Sequence, residues 1–187
     1  MKDLFSLIAL VALAGMIIAV GVKAGDTDTV TGTVTVRNFA ISIEPTETSF
    51  DYGVMANNSA SSTMTLFPAG EGITANNDGS KANFDIYGNH TGTGAAGTGW
   101  DLDTATSTED HYMHKFCNET DDNCAVSGVF GADFTALTTN PATLYEDVVG
   151  ESGTVDFQLS IHTPNPSTKY TQQSAVVTVQ ASEPTTP

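Results

Sequence analysis

The side chains with chemistry to offer in this chain are four histidines, two cysteines and several clustered carboxylates. Cys117 and Cys124 sit in CNETDDNC. In an exported chain, so close a pair reads as a disulfide closing a small loop, worth ~2.5 kcal/mol on the chain-entropy model. A zinc reading needs two further ligands at finger-like spacing, and none follow. His111 and His114 lie three apart, so on a strand they point to opposite faces and do not chelate one ion together. His90 and His162 stand alone in the sequence.

The carboxylates gather as Asp101, Asp103, Glu109 and Asp110, then as Glu119, Asp121 and Asp122. Hard cations such as Ca²⁺ take several loop carboxylates and carbonyls, which makes Asp101, Asp103, Asp121 and Asp122 candidate ligands. No twelve-residue calcium loop accompanies them, and a solvated acidic surface is the competing reading. Gly92-x-Gly94-x-x-Gly97 spells a dinucleotide fingerprint, but that motif needs a helix N-terminus to receive the pyrophosphate. Here TGWDLD follows, which reads as a strand. No G-x-S-x-G elbow is present, and oxidised cysteines are poor nucleophiles. These patterns point away from catalysis and name neither a catalytic nor a cofactor-binding residue.

The elements that would carry these groups follow from the apolar pattern. Leu4–Val22 is an uncharged apolar run. At 1.5 Å per residue it just spans a hydrocarbon core of about 30 Å. It is either a signal peptide, with Val22-Lys23-Ala24 before a cut, or a retained hydrophobic helix serving as an anchor or filament core. In both cases the remainder is expected outside the cytoplasm, with a membrane contact only through 4–22 if that helix is kept. Residues 25–29, GDTDT, read as a polar hinge.

From residue 30 the period is two. Val30, Val34 and Val36 share one face, and after Arg37-Asn38 the phase flips to Phe39, Ile41 and Ile43, as at a bulge or a crossing between sheets. Alternating runs follow at Phe50–Val54, Met64–Leu66 and Phe84–Ile86, with Asp78-Gly79 as a tight turn before the last of these. Tyr112, His114 and Phe116 predict a strand ending at the cysteine loop. Val155, Phe157, Leu159 and Ile161 predict the clearest strand, with Asp156, Gln158, Ser160 and His162 on a wet face. KYTQQSAVVTVQ predicts the last. About ten short strands separated by turn signals predict an all-β fold: a single antiparallel β-sandwich, immunoglobulin-like or jelly-roll, preceded by the hydrophobic helix. The sandwich is expected over 30–181, with 182–187 as a tail.

The formal charge of −16 and the scattered Lys81, Lys115, Lys169 and Arg37 exclude a phosphate-binding surface and hence a nucleic-acid partner. Asn57, Asn89 and Asn118 head glycosylation triplets, all expected in loops.

The ordered segments TVTGTVTVRNFAISIE, SFDYGVMANN, NFDIYG, HKFC…C, FTALTTN, VDFQLSIHTP and YTQQSAVVTVQA resemble small exported β-sandwich surface proteins of candidate-phyla bacteria. The layout is also similar to donor-strand-assembled filament proteins such as archaeal bundling pili and TasA-like fibres. That resemblance implies a non-enzymatic surface protein that self-associates into a filament. Assembly would run through the N-terminal helix or through a donated strand carrying Val30, Val34, Val36, Phe39, Ile41 and Ile43. The alternatives are an adhesin or carbohydrate-binding module using Trp100, Tyr112 and the 88–99 loop as a stacking platform, and a small secreted hydrolase.

Overall fold

The computed structural model describes residues 33–34, 36–67, 72–106, 108–120, 124 and 133–185. The apolar run 4–22, the hinge 25–29, Val30, Asp121 and Asp122 lie outside the described residues. Met1–Val36 and Arg37–Pro187 form separate units, and every described strand belongs to the second.

That second unit is nearly all β. Its strands are β1 (Ile41–Ile43), β2 (Ala60–Ser62), β3 (Ile73–Asn77), β4 (Ala82–Gly88) and β5 (Asp101–Leu102), followed by β6 (His111–Asn118), β7 (Thr135–Ala136), β8 (Ala142–Val148), β9 (Thr154–His162) and β10 (Val177–Ser182). A short 3-10 turn, Thr63–Thr65, follows β2 and is capped by the Ser62 hydroxyl, which accepts from Met64 N. Seven strands make one sheet along β1-β3-β9-β6-β5, with β2 also on β9 and β7 also on β6. A three-stranded antiparallel sheet runs β10-β4-β8. The larger sheet is mixed, because β5 pairs parallel with β6. The expectation of purely antiparallel pairing is corrected there: side-chain alternation reports which face a residue takes, not the direction of its neighbour.

β9 organises the larger sheet. Its alternation buries Val155, Phe157, Leu159 and Ile161 on the inner face, each worth roughly 1.5–3 kcal/mol on full burial. Across from them, Phe84 and Ile86 of β4 and Leu144 and Val148 of β8 complete one apolar cluster shared by the two sheets. The other face of β9 is not wet as expected, since Gln158 and Ser160 are buried at 2% and 0% exposure. A second layer covers them. Thr63 Oγ1 donates to Gln158 Oε1 at 2.6 Å, and Met64, Phe134 and the Cys117–Cys124 pair form their own cluster there.

Turn chemistry sets the register where the sheets meet. Asn77 Oδ1 accepts from Gly79 N, while its Nδ2 donates to Ser80 O and Val148 O, tying the β3–β4 turn to β8. A Cβ at Gly79 would strike the Asn38 carbonyl and the Ala40 nitrogen, so the tight turn predicted at Asp78-Gly79 needs its glycine.

Four expected strands come out differently, the first being Met64–Leu66, which falls in the 3-10 turn and its C-cap. Among the described residues of 30–43, strand pairing begins only at Ile41, while Asn38 and Ala40 bond the 78–80 turn through backbone groups. Phe50–Val54 and Lys169–Val176 alternate like strands yet run without strand pairing. An alternating segment becomes a strand only when a neighbour takes up its backbone groups. At the other end, β10 reaches Ser182, Glu183 meets Arg37 at 3.5 Å and Thr185 Oγ1 accepts from Asn83, so the expected tail starts inside an element.

Candidate functional site

The two unpaired segments are the walls of a groove. It holds about 980 Å³ between residues 47–57 on one side and 169–179 on the other. Its floor is the apolar interior, reached at Ile73, Phe157, Leu159 and Ile161. β10 contributes Val177 and Val179 and, among the described residues, pairs only with β4. Val54, Tyr170 and Val176 stand on the rim, all exposed, as apolar surface without cover.

A row of rings runs along the groove. Phe50 packs edge-on against Tyr52 at 5.1 Å, Tyr52 meets His114 at 6.0 Å, and Tyr112 links His114 to Trp100 at 6.2 Å each. His114 is wholly enclosed, and burial pushes its pKa down to about 4, so it is neutral at neutral pH. Its Nε2 lies 3.1 Å from Tyr52 Oη, whereas the buried Nδ1 has no partner. Burial first, and then Tyr112, raises the Tyr52 phenol well above its usual range. Phe50, Tyr52, Trp100 and His114 line the groove, whereas Tyr112 is buried and does not.

The Trp100 end is tied down by polar bonds. Trp100 Nε1 donates to Ser167 Oγ, which in turn donates to Asp110 Oδ1. Burial would raise the Asp110 carboxyl, but bonds from the Thr168 hydroxyl and N–H and from Ser167 hold it below the ordinary range. Thr91 and Gln173 join the glycine loop to the 169–176 wall, with Thr91 Oγ1 donating to Gln173 Oε1 at 2.7 Å. Tyr112 is buried and donates its hydroxyl to Asn89 O. It therefore cannot serve in the expected stacking platform, because its ring faces the interior.

Gly92, Gly94 and Gly97 each take positive φ (72°, 82° and 79°) and turn a surface loop into β5. With a strand rather than a helix behind it, the loop has no N-terminal dipole to offer a phosphate. The two acidic candidates among the described residues, Asp101 and Asp103, are occupied by protein partners. Asp101 Oδ1 accepts from Gly97 N at 2.7 Å. Asp103 Oδ2 lies 2.9 Å from His111 Nδ1, and that bond, with one from Thr104 N, lowers its pKa. His90 Nδ1 accepts from Leu102 N, so its 3.4 Å approach to Asp101 is not a hydrogen bond in that tautomer. Among the described residues no three His, Cys, Asp or Glu side chains are placed to hold a metal ion.

Cys117 and Cys124 form the expected disulfide, and both sulfurs are buried. Of the glycosylation candidates, Asn57 is exposed in a turn and Asn89 is half-buried. Asn118 is the last residue of β6 rather than a loop residue, and its amide donates to Leu144 O. Of the assembly residues, Val34 and Val36 are 87% and 83% exposed, and Phe39 is at 39%. Ile41 and Ile43 pack in β1 against the chain's own core.

The site is thus a ring-lined groove with an apolar floor and mixed walls, which carry Glu47, Asp51 and Lys169, beside β10 in a disulfide-bonded two-sheet domain. No protein-family model, curated protein or solved structure matches the chain.

Proposed function

We propose that this chain is an extracellular structural protein, a single β-sandwich subunit of the cell surface that assembles into a filament through its N-terminal region. The observation that carries the proposal is the pairing of two uncompensated features. Val34 and Val36 stand almost fully exposed ahead of the two-sheet domain in sequence, and the domain has a groove with an apolar floor and with Val54, Tyr170 and Val176 exposed at its rim. Contiguous exposed apolar surface on a soluble domain marks an interaction site. The disulfide is compatible with an oxidising, extracellular setting. The charge of −16 keeps subunits soluble before they assemble.

Sedimentation velocity across a concentration series, with negative-stain microscopy of the same samples, tests this. Filaments that lengthen with concentration are expected. A single monomeric boundary at every concentration would overturn the proposal.

A further inference from the structure

We propose that the groove between residues 47–57 and 169–179 is a binding site for a neutral saccharide. The inference goes beyond the assembly reading and does not depend on it: a subunit that never polymerised would still carry the site.

The surface that a ligand can reach decides its chemical class. The volume of about 980 Å³ lies at the top of the range of roughly 300–1,000 Å³ that small-molecule sites occupy. The floor residues Ile73, Phe157, Leu159 and Ile161 are exposed by no more than 6%, so an acyl chain would find little apolar area to cover there. The reachable area belongs to the walls, where it is of two kinds. Phe50, Tyr52 and Trp100 are partly exposed rings, and Tyr170 is an exposed one. Asn57, Thr171, Gln172 and Ser174 are exposed, uncharged and polar. A pyranose presents the matching pair of surfaces: a C–H face that packs on an aromatic ring, and hydroxyls that donate and accept as side-chain amides and hydroxyls do.

Charge narrows the class further. The groove carries the carboxylates of Glu47 and Asp51 against the single ammonium of Lys169, in a chain of net charge −16. That balance disfavours uronic, sialic or phosphorylated sugars and leaves neutral ones. The rings are also in place before any ligand arrives. Trp100 is braced by Tyr112 at 6.2 Å and bonded through Nε1 to Ser167 Oγ, while Tyr52 Oη lies 3.1 Å from His114 Nε2. Gln173 is held between Thr91 and Thr171, which fixes the wall that carries Tyr170 and Gln172. Groups already ordered lose little entropy on binding.

Trp100 is the only tryptophan in the chain, so its fluorescence reports on the groove. The test screens the full-length protein on an array of neutral and acidic glycans, then titrates the neutral hits while following Trp100 emission, with laurate as the apolar control. A saturable change with a neutral oligosaccharide, undiminished at high salt, is expected. Tyr170→Ala and Gln172→Ala, both at exposed wall positions and checked for folding by circular dichroism, should each raise Kd by about fivefold or more. No saturable change with any neutral glycan would overturn the proposal. So would binding confined to acidic glycans or to laurate, or neutral-glycan binding that both variants leave unaltered. None of these outcomes bears on self-assembly, which sedimentation reads separately.

Discussion

The edges of the three-stranded sheet, β8 and β10, differ in the features that govern strand addition. β8 carries Glu146, the Lys81–Asp147 ion pair and a residue forced to positive φ. β10 carries an uninterrupted register, uncharged residues and a groove of mixed polarity at its flank. Both edges belong to one small sheet packed on one core, so the fold does not require the contrast. The difference teaches that edge chemistry can be read apart from fold.

The largest effect is expected from the N-terminal valines. Val34→Asp with Val36→Asp should abolish assembly in sedimentation while changing the urea-unfolding free energy by no more than about 0.5 kcal/mol, the usual range for exposed sites. A comparable loss is expected when the rim beside β10 receives charge. Val176→Lys with Thr178→Glu places charges at the rim and on β10, and should leave a folded, monomeric chain by circular dichroism and sedimentation.

Beneath the groove, His114 separates the stability of the lining from assembly. Its folded pKa of about 4 lies below the ordinary value of 6.5 because burial disfavours the charged form. The unfolded chain therefore takes up a proton that the folded chain refuses. Stability from this group is full above pH 6.5 and declines as pH falls toward 4, by about 3 kcal/mol at 1.36 kcal/mol per unit. His114→Gln should flatten that part of the urea-midpoint profile. An unchanged slope between pH 6.5 and 4 would contradict the burial.

On the far face, reducing Cys117–Cys124 should cost about 2.5 kcal/mol of unfolding free energy and loosen the layer over Gln158 while leaving assembly intact. Amide exchange with and without reductant separates the two effects. The smallest effect is expected at the guarded edge. Glu146→Thr with Asp147→Asn keeps a residue that tolerates positive φ and removes the charges, and should add weak lateral association detectable by light scattering.

The sequence made the inner half of this molecule legible. Val155 to Ile161, Phe84 to Ile86 and Tyr112 to Phe116 alternate cleanly because each has one face in a common core, and they lie in strands β9, β4 and β6. The disulfide and the Asp78-Gly79 turn were legible because short-range geometry sets them. Gln158 and Ser160 were misread as wet because the layer that covers them comes from Met64, Phe134 and Cys124, remote in sequence and without a pattern of their own. The groove was illegible for a related reason. Phe50–Val54 and Tyr170–Val176 alternate as strands do, and only the tertiary arrangement shows that neither has a strand beside it. The valines at 34 and 36 read as assembly residues from their sequence, but nothing in their spacing says what surface would receive them.

The central claim is that copies of this chain assemble through the N-terminal region. Hydrogen–deuterium exchange of wild-type chains, compared before and after assembly, tests it most directly. The account predicts that amides of 30–36 gain protection on assembly, while those of β8 do not change. Protection gained along 142–148, or assembly with the 30–36 amides exchanging as before, would contradict it.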